Sequence, residues 1–169
     1  FRLIKGWEVD ECEQPESAKQ AINWFESKIN KRITEIDDSY SKYRISEALM
    51  STYKLVWDDF CSWYLEIVKP NYGSPIDKIT YTKTIEQLEK ILKLLHPFTP
   101  FLSEEIWHLI DDTTNDIIVA DWPKAGDVDE ILLADFEHTS EVVAGIRTIR
   151  KEQNIAQKEQ LELLVINNQ

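Results

Sequence analysis

The chain holds 169 residues with a formal net charge of −12, 43% hydrophobic residues, six Trp and only four Gly. Such a chain buries a core in one or two domains, which excludes a linker, a low-complexity tract and a repeat array. No apolar run reaches the length of a membrane span, and the opening Phe1-Arg2-Leu3-Ile4-Lys5-Gly6 leads into acidic sequence rather than the apolar stretch of a secretory signal. That opening is expected to be a cut within a longer polypeptide. Cys12 and Cys61 stand far apart without Cys or His at ligand spacing, so neither a disulfide framework nor a zinc site is expected, and a reducing cytoplasm is the plain reading.

The first helix is predicted over 16–37, where Ala18, Ile22, Phe25, Ile29, Ile33 and Ile36 recur at steps of three and four. Trp24, Lys28, Lys31 and Glu35 fall on another side, so an aromatic ring is expected beside two cations away from the apolar seam. A second helix is predicted over 43–69. Ile45, Leu49, Val56, Phe60, Trp63 and Ile67 lie near one side, and Met50, Trp57 and Tyr64, at seven-residue steps, near another. That apolar width predicts neighbours on two sides.

Two Pro and a Gly within 69–75 make a connection, and a third helix follows over 78–95 on Ile85, Leu88, Ile91, Leu92 and Leu95. Pro97 disfavours a helical His96, while Pro100 suits a first helical turn with Thr99 as its cap, so one helix ends near Leu95 and another begins near Pro100. Short connections favour antiparallel packing of these four helices. Residues 111–116 are polar and turn-forming, and Ile117-Ile118-Val119 is β-branched, so an extended excursion across the bundle is expected, closed by Trp122-Pro123. A further helix is predicted from Asp127 to about Gln153, with Arg147, Arg150 and Lys151 where cations complement its dipole. Leu161–Ile166 suits a mostly buried strand that pairs with residues beyond Gln169, the favoured arrangement, or folds against the 117–122 segment. The expected fold is therefore mainly α: an antiparallel helical bundle over 1–110, then over 111–169 an extended segment, a long helix and the start of a small α/β module.

The chemistry legible in the residues is recognition rather than catalysis. There is no Gly-x-Gly-x-x-Gly, no Gly-rich loop before Lys-Ser/Thr and no Gly-x-Ser-x-Gly, so no catalytic residue is assigned. Glu105-Ile106-Trp107-His108 has the Glu-x-x-His spacing of bundle di-iron sites. A second such pair is missing, so no metal site is assigned and a solvated carboxylate beside a hydrogen-bonded His is the better reading. His96 is read as a capping or core hydrogen-bonder. The net acidity opposes nucleic-acid binding in general. Residues 19–54, however, hold seven Lys and Arg against five Asp and Glu, a weak local basic face whose affinity would be modest and salt-dependent. A splayed base needs an aromatic face to stack on and nearby cations for the flanking phosphates; Trp24, Lys28, Lys31, Arg32, Tyr43 and Arg44 supply that inventory if the end of the first helix meets the start of the second.

Four segments in order carry a family resemblance: Gly6-Trp7-Glu8-Val9; Asp59-Phe60-Cys61-Ser62-Trp63-Tyr64-Leu65-Glu66; the Pro-rich break 95–100 before Glu104-Glu105-Ile106-Trp107; and Ile146-Arg147-Thr148-Ile149-Arg150-Lys151-Glu152-Gln153-Asn154-Ile155-Ala156. They resemble the anticodon-binding region of class I aminoacyl-tRNA synthetases of the valine, isoleucine and leucine group. The last resembles the Ile-Arg-x-Ile-Arg-x-Glu-x-Asn-Ile signature of the valine branch, with Gln157 where family members commonly carry Pro. The resemblance implies a helical anticodon-binding domain contacting a tRNA specific for valine, in the cytoplasm. The catalytic, editing and C-terminal domains would belong to a longer chain that uses ATP and Mg2+, charges that tRNA with valine and hydrolyses mischarged threonine. The family's ATP-binding His-x-Gly-His and Lys-Met-Ser-Lys-Ser-like motifs are missing, so these residues alone are expected to be inactive and to need no cofactor. The isoleucine or leucine branch, and an RNA-free helical protein-interaction module, are the alternatives.

Overall fold

The computed structural model describes residues 1–110, 115–156, 159–160 and 162. The expected helical bundle is present. After a single turn, α1 (Arg2–Lys5), the long α2 (Glu16–Ser41) forms its axis. Its stripe of Ala18, Ala21, Ile22, Phe25, Ile29, Ile33 and Ile36 is buried throughout. The helix runs a turn past the predicted end and stops in a Schellman motif. Tyr43 takes the left-handed position at φ 58, Arg44 N–H donates to Ser39 O at 2.8 Å, and Tyr43 N–H donates to Tyr40 O at 3.0 Å.

The predicted second helix is continuous but not uniform: α3 (Ile45–Lys54), a π-helical stretch (Leu55–Tyr64) and α4 (Leu65–Val68). Leu55 and Tyr64 are both fully buried. At about 100° per residue, nine residues of regular α-helix would place them on opposite sides. The i to i+5 winding underturns the helix and returns Tyr64 to the core, with Ser62 Oγ donating to Trp57 O at 2.8 Å. Grouping Met50, Trp57 and Tyr64 on one side is therefore corrected: Tyr64 turns inward while the other two stay exposed. Phe25 meets Tyr64 and Phe60 at ring distances of 4.8 and 5.4 Å. Thr84 Oγ1 gives its proton to Thr80 O at 2.8 Å, so the Tyr64 hydroxyl donates to Thr84 at 2.9 Å. Burial pushes the Tyr64 phenol up to about 12.

Two short strands not foreseen in the sequence, β1 (Val9–Asp10) and β2 (Ile76–Asp77), pair in parallel and tie the two connections together. Asp77 also caps α5 (Lys78–Leu95) by accepting from Thr80 N–H at 2.8 Å. The break before α6 (Pro100–Ile110) falls where the two prolines predict it, but His96 before Pro97 keeps helical angles (φ −54, ψ −40) with its N–H on Leu92 O, and the Thr99 hydroxyl donates back to Leu95 O at 3.3 Å instead of capping α6. Ser103 Oγ donates to the Thr99 and Pro100 carbonyls and thus accepts from His96 Nδ1 at 2.8 Å, which locks the corner. The expected extended excursion at 117–119 is instead a 3-10 turn (Ile117–Val119). Ile117 drops into the core and its N–H donates to Glu104 Oε1 at 3.0 Å, a hydrogen bond that an extended chain would have sought in a strand partner.

The last described element, α7 (Glu130–Glu152), begins on an Asp129 cap that accepts from Leu132 N–H at 2.9 Å. It ends in a second Schellman motif, with Asn154 at φ 53 and Ile155 N–H on Arg150 O at 2.9 Å. The Arg150 guanidinium donates to Ala156 O and Glu159 O, both at 2.7 Å. The Arg-x-Glu-x-Asn-Ile part of the signature is thus a helix stop, with Asn where a left-handed residue is needed. The predicted strand at 161–166 lies outside the described residues apart from Glu162, which is not in a strand.

Candidate nucleic-acid interface

The six candidate residues separate into two groups. Trp24 does not stand free. It is 2% exposed, and its ring stacks on Phe136 of α7 at 3.8 Å and 19°. Phe136 also meets Trp63 edge-on at 5.5 Å, and the Arg147 guanidinium lies 5.5 Å above Trp63. The side of α2 expected to face away from the seam is therefore the seat of α7, and its aromatic ring is used in packing. The docking is extended by Asn30 Nδ2 donating to Asp127 O at 2.9 Å and by Asp129 N–H donating to Ser27 Oγ at 3.3 Å. Gly126 permits this approach, since a Cβ there would sit 3.1 Å from Asn30 Nδ2.

Lys28, Lys31 and Arg32 are likewise engaged. Lys31 Nζ pairs with Glu130 at 2.8 Å, and Arg32 Nη1 with Glu35 at 2.7 Å. Lys28 Nζ and Arg32 Nε face the two oxygens of Asp59 at 3.5 and 3.7 Å. These separations are long, and among the described residues neither Asp59 Oδ2 nor Arg32 Nε has a hydrogen-bond partner. Burial consequently raises the Asp59 carboxyl above its ordinary value, against the pull of Lys28 and Arg32. A carboxyl with a folded pKa above its unfolded one favours folding most when protonated, and that contribution is lost as pH rises through the window just above the ordinary carboxylate range. In urea melts, Asp59→Asn should therefore stand better against the parent protein at pH 7 than at pH 4.

Tyr43 and Arg44 form the second group, at the turn between α2 and α3. Tyr43 is 90% exposed, and Arg44 is exposed and loosely paired with Glu47 at 3.4 Å. Lys42 stands beside them, paired with Asp38 at 2.7 Å. A bulky residue at positive φ costs about 1–2 kcal/mol, and strain of this kind gathers at functional positions. Tyr43→Gly is expected to raise stability by about 0.5–1 kcal/mol in urea melts, since glycine adopts this conformation without the Cβ penalty.

His108 pairs with Glu104 rather than Glu105, Nε2 to Oε1 at 3.0 Å, and reaches Asp116 Oδ1 at 3.4 Å. Together with Trp107 Nε1 donating to Asn115 O at 3.2 Å, this clasps the chain at 115–117 onto α6. These three side chains are the one group among the described residues whose His and carboxylate ligand atoms converge, within 4.8 Å. Each of the three already serves the clasp. Signals the sequence reading missed were Phe136 as the partner of Trp24, and Ser27 and Asn30 as small polar residues on the same side of α2.

The sequence that forms the bundle, its proline corner and α7 matches a known domain family. The model of the anticodon-binding domain of tRNA ligases matches residues 23–165, and the chain belongs to that family. Similar proteins include the valine–tRNA ligase of Christiangramia forsetii, 55% identical over all of this chain and 20% of that protein. Those of Phocaeicola vulgatus and Thermotoga maritima are 52% and 31% identical, over 98% and 89% of this chain and 19% and 18% of theirs. The chain thus spans about a fifth of the length of these relatives.

Proposed function

We propose that the chain is the anticodon-reading part of a cytoplasmic synthetase that charges a valine-specific tRNA. The observation that carries this reading is the family match over 23–165 together with valine–tRNA ligases as its relatives across 98–100% of the chain. The parent enzyme uses ATP and Mg2+ and removes mischarged threonine in domains outside these residues, because a hydrophobic pocket rejects that isostere poorly. Among the described residues no helix is long and apolar enough to cross a membrane. The anticodon arm lies on the α2–α3 turn. Tyr43 offers a ring face to a splayed base and Arg44 a cation to the phosphate beside it. Trp24, Lys28, Lys31 and Arg32 act through position, holding α7 and the π-helical stretch against α2. Binding energy gathered here is used at the distant active site by orienting the tRNA's 3′ end.

The test is Tyr43→Ala with Arg44→Glu in the full-length polypeptide. Loss of one stacked base and one phosphate contact should lower kcat/KM for charging tRNA by about 10- to 100-fold, while valine-dependent ATP–pyrophosphate exchange is unchanged. Unaltered charging by this folded double variant would reject the assigned face.

A further inference from the structure

The helix of α3 and the π-helical stretch is apolar on two sides, and the described residues fill one of them. Ala48, Thr52, Leu55, Phe60 and Tyr64 face α2 and α5. On the other side Ile45, Leu49, Tyr53 and Trp57 follow one another at steps of four with Met50 beside them. Met50, Tyr53 and Trp57 are 54%, 52% and 60% exposed. The rings of Tyr53 and Trp57 stack on each other at 6.4 Å and 11°, so the ridge is preformed and flat. The winding that turns Tyr64 inward also keeps Trp57 in line with Tyr53. A continuous apolar ridge of five exposed side chains on a folded domain marks a covered surface.

We propose that this ridge is the seat of another part of the same polypeptide, an apolar face rimmed with Lys or Arg from the portion outside these residues. The inference rests on the reading above that the chain is one part of a longer synthetase, since the relatives are about five times its length. Chemistry favours protein over RNA as the occupant. The ridge is aliphatic, thioether and aromatic along its whole length. Beyond the Tyr43–Arg44 turn the ridge has few cations: Lys42 is paired with Asp38, and Lys54 is the one Lys or Arg between positions 45 and 64. Asp58, exposed next to Trp57 at the far end of the ridge from Tyr43 and Arg44, calls for a cation on the partner and would repel phosphate there.

Hydroxyl-radical footprinting of Met50, Tyr53 and Trp57 tests this in two proteins, the 169-residue chain and the full-length polypeptide, each with and without tRNA. Covering the ridge should slow modification of all three at least about five-fold in the full-length protein without tRNA, with buried Tyr64 slow in both. Protection that appears only on adding tRNA would overturn the proposal in favour of an RNA surface. Protection of the short chain that grows with its concentration would overturn it in favour of self-association. Equal, fast modification under every condition would reject a covered surface. Trp57→Glu supplies an independent readout: the melting temperature of the short chain should hold while that of the full-length protein falls. A drop in both would assign the residue to the bundle itself. Charging activity lost on changing Tyr43 and Arg44 is a separate outcome, so either reading can fail alone.

Discussion

Phe25→Ala should destabilise the bundle by about 3–5 kcal/mol, the largest loss expected from any single truncation in this chain. Phe25 is fully buried at the centre of an aromatic group, with Tyr64, Phe60 and Trp24 at ring distances of 4.8, 5.4 and 5.9 Å. Removing it forfeits transfer energy and three ring contacts. It also leaves a void between α2 and a helix whose phase already depends on π winding, so collapse to fill it is restricted. Against a typical total stability of about 5–15 kcal/mol, that loss takes much of the folded population at 37 °C. Urea melts monitored by far-UV circular dichroism measure it. A loss below about 1 kcal/mol would mean that the aromatic centre repacks freely.

The second large effect is local. Phe136→Ala should release α7 from the bundle, with about 3 kcal/mol of protection lost from amides in 130–152 and little change in α2 or α5. Along α7 no residue is fully buried, so its attachment concentrates where Phe136 stacks on Trp24 and meets Trp63. The Lys31–Glu130 pair is well exposed on both sides and adds at most about 1 kcal/mol. Hydrogen exchange followed by mass spectrometry separates the two regions. Equal loss across the whole molecule would show that α7 and the bundle unfold as one unit instead.

Much of this architecture was legible in the residues. The stripe of α2, the span 78–95 and the Pro97–Pro100 corner follow from periodicity and proline chemistry, which are local rules. The inward turn of Tyr64 was not, because π winding arises from tertiary demand and seven-residue spacing assumes a constant pitch. The β1–β2 pair joins residues far apart in sequence and is two residues long, too short for a pattern. For the candidate site, local spacing set Trp24 apart from the apolar stripe, yet the ring is part of the core, and spacing could not say what would cover it. The answer, Phe136, lies 112 positions downstream. Tyr43 and Arg44 were legible as an aromatic–cation pair, whereas the positive φ of Tyr43 depends on how α2 ends. The cations at 28, 31 and 32 looked like a basic face because their partners Asp59 and Glu130 come from other helices.

The underwound middle of the second helix also sets how chain length and helix phase trade against each other. With one residue fewer between Leu55 and Tyr64, eight steps of ordinary α-helix would bring the two side chains within about 80° of each other, close enough to enter the same core without any widened turn. The π winding therefore does by rotation what one residue fewer would do in an ordinary helix. Relatives one residue shorter at this place should close the same bundle with an unbroken helix, so a gap there in an alignment marks a change of pitch and not a lost element.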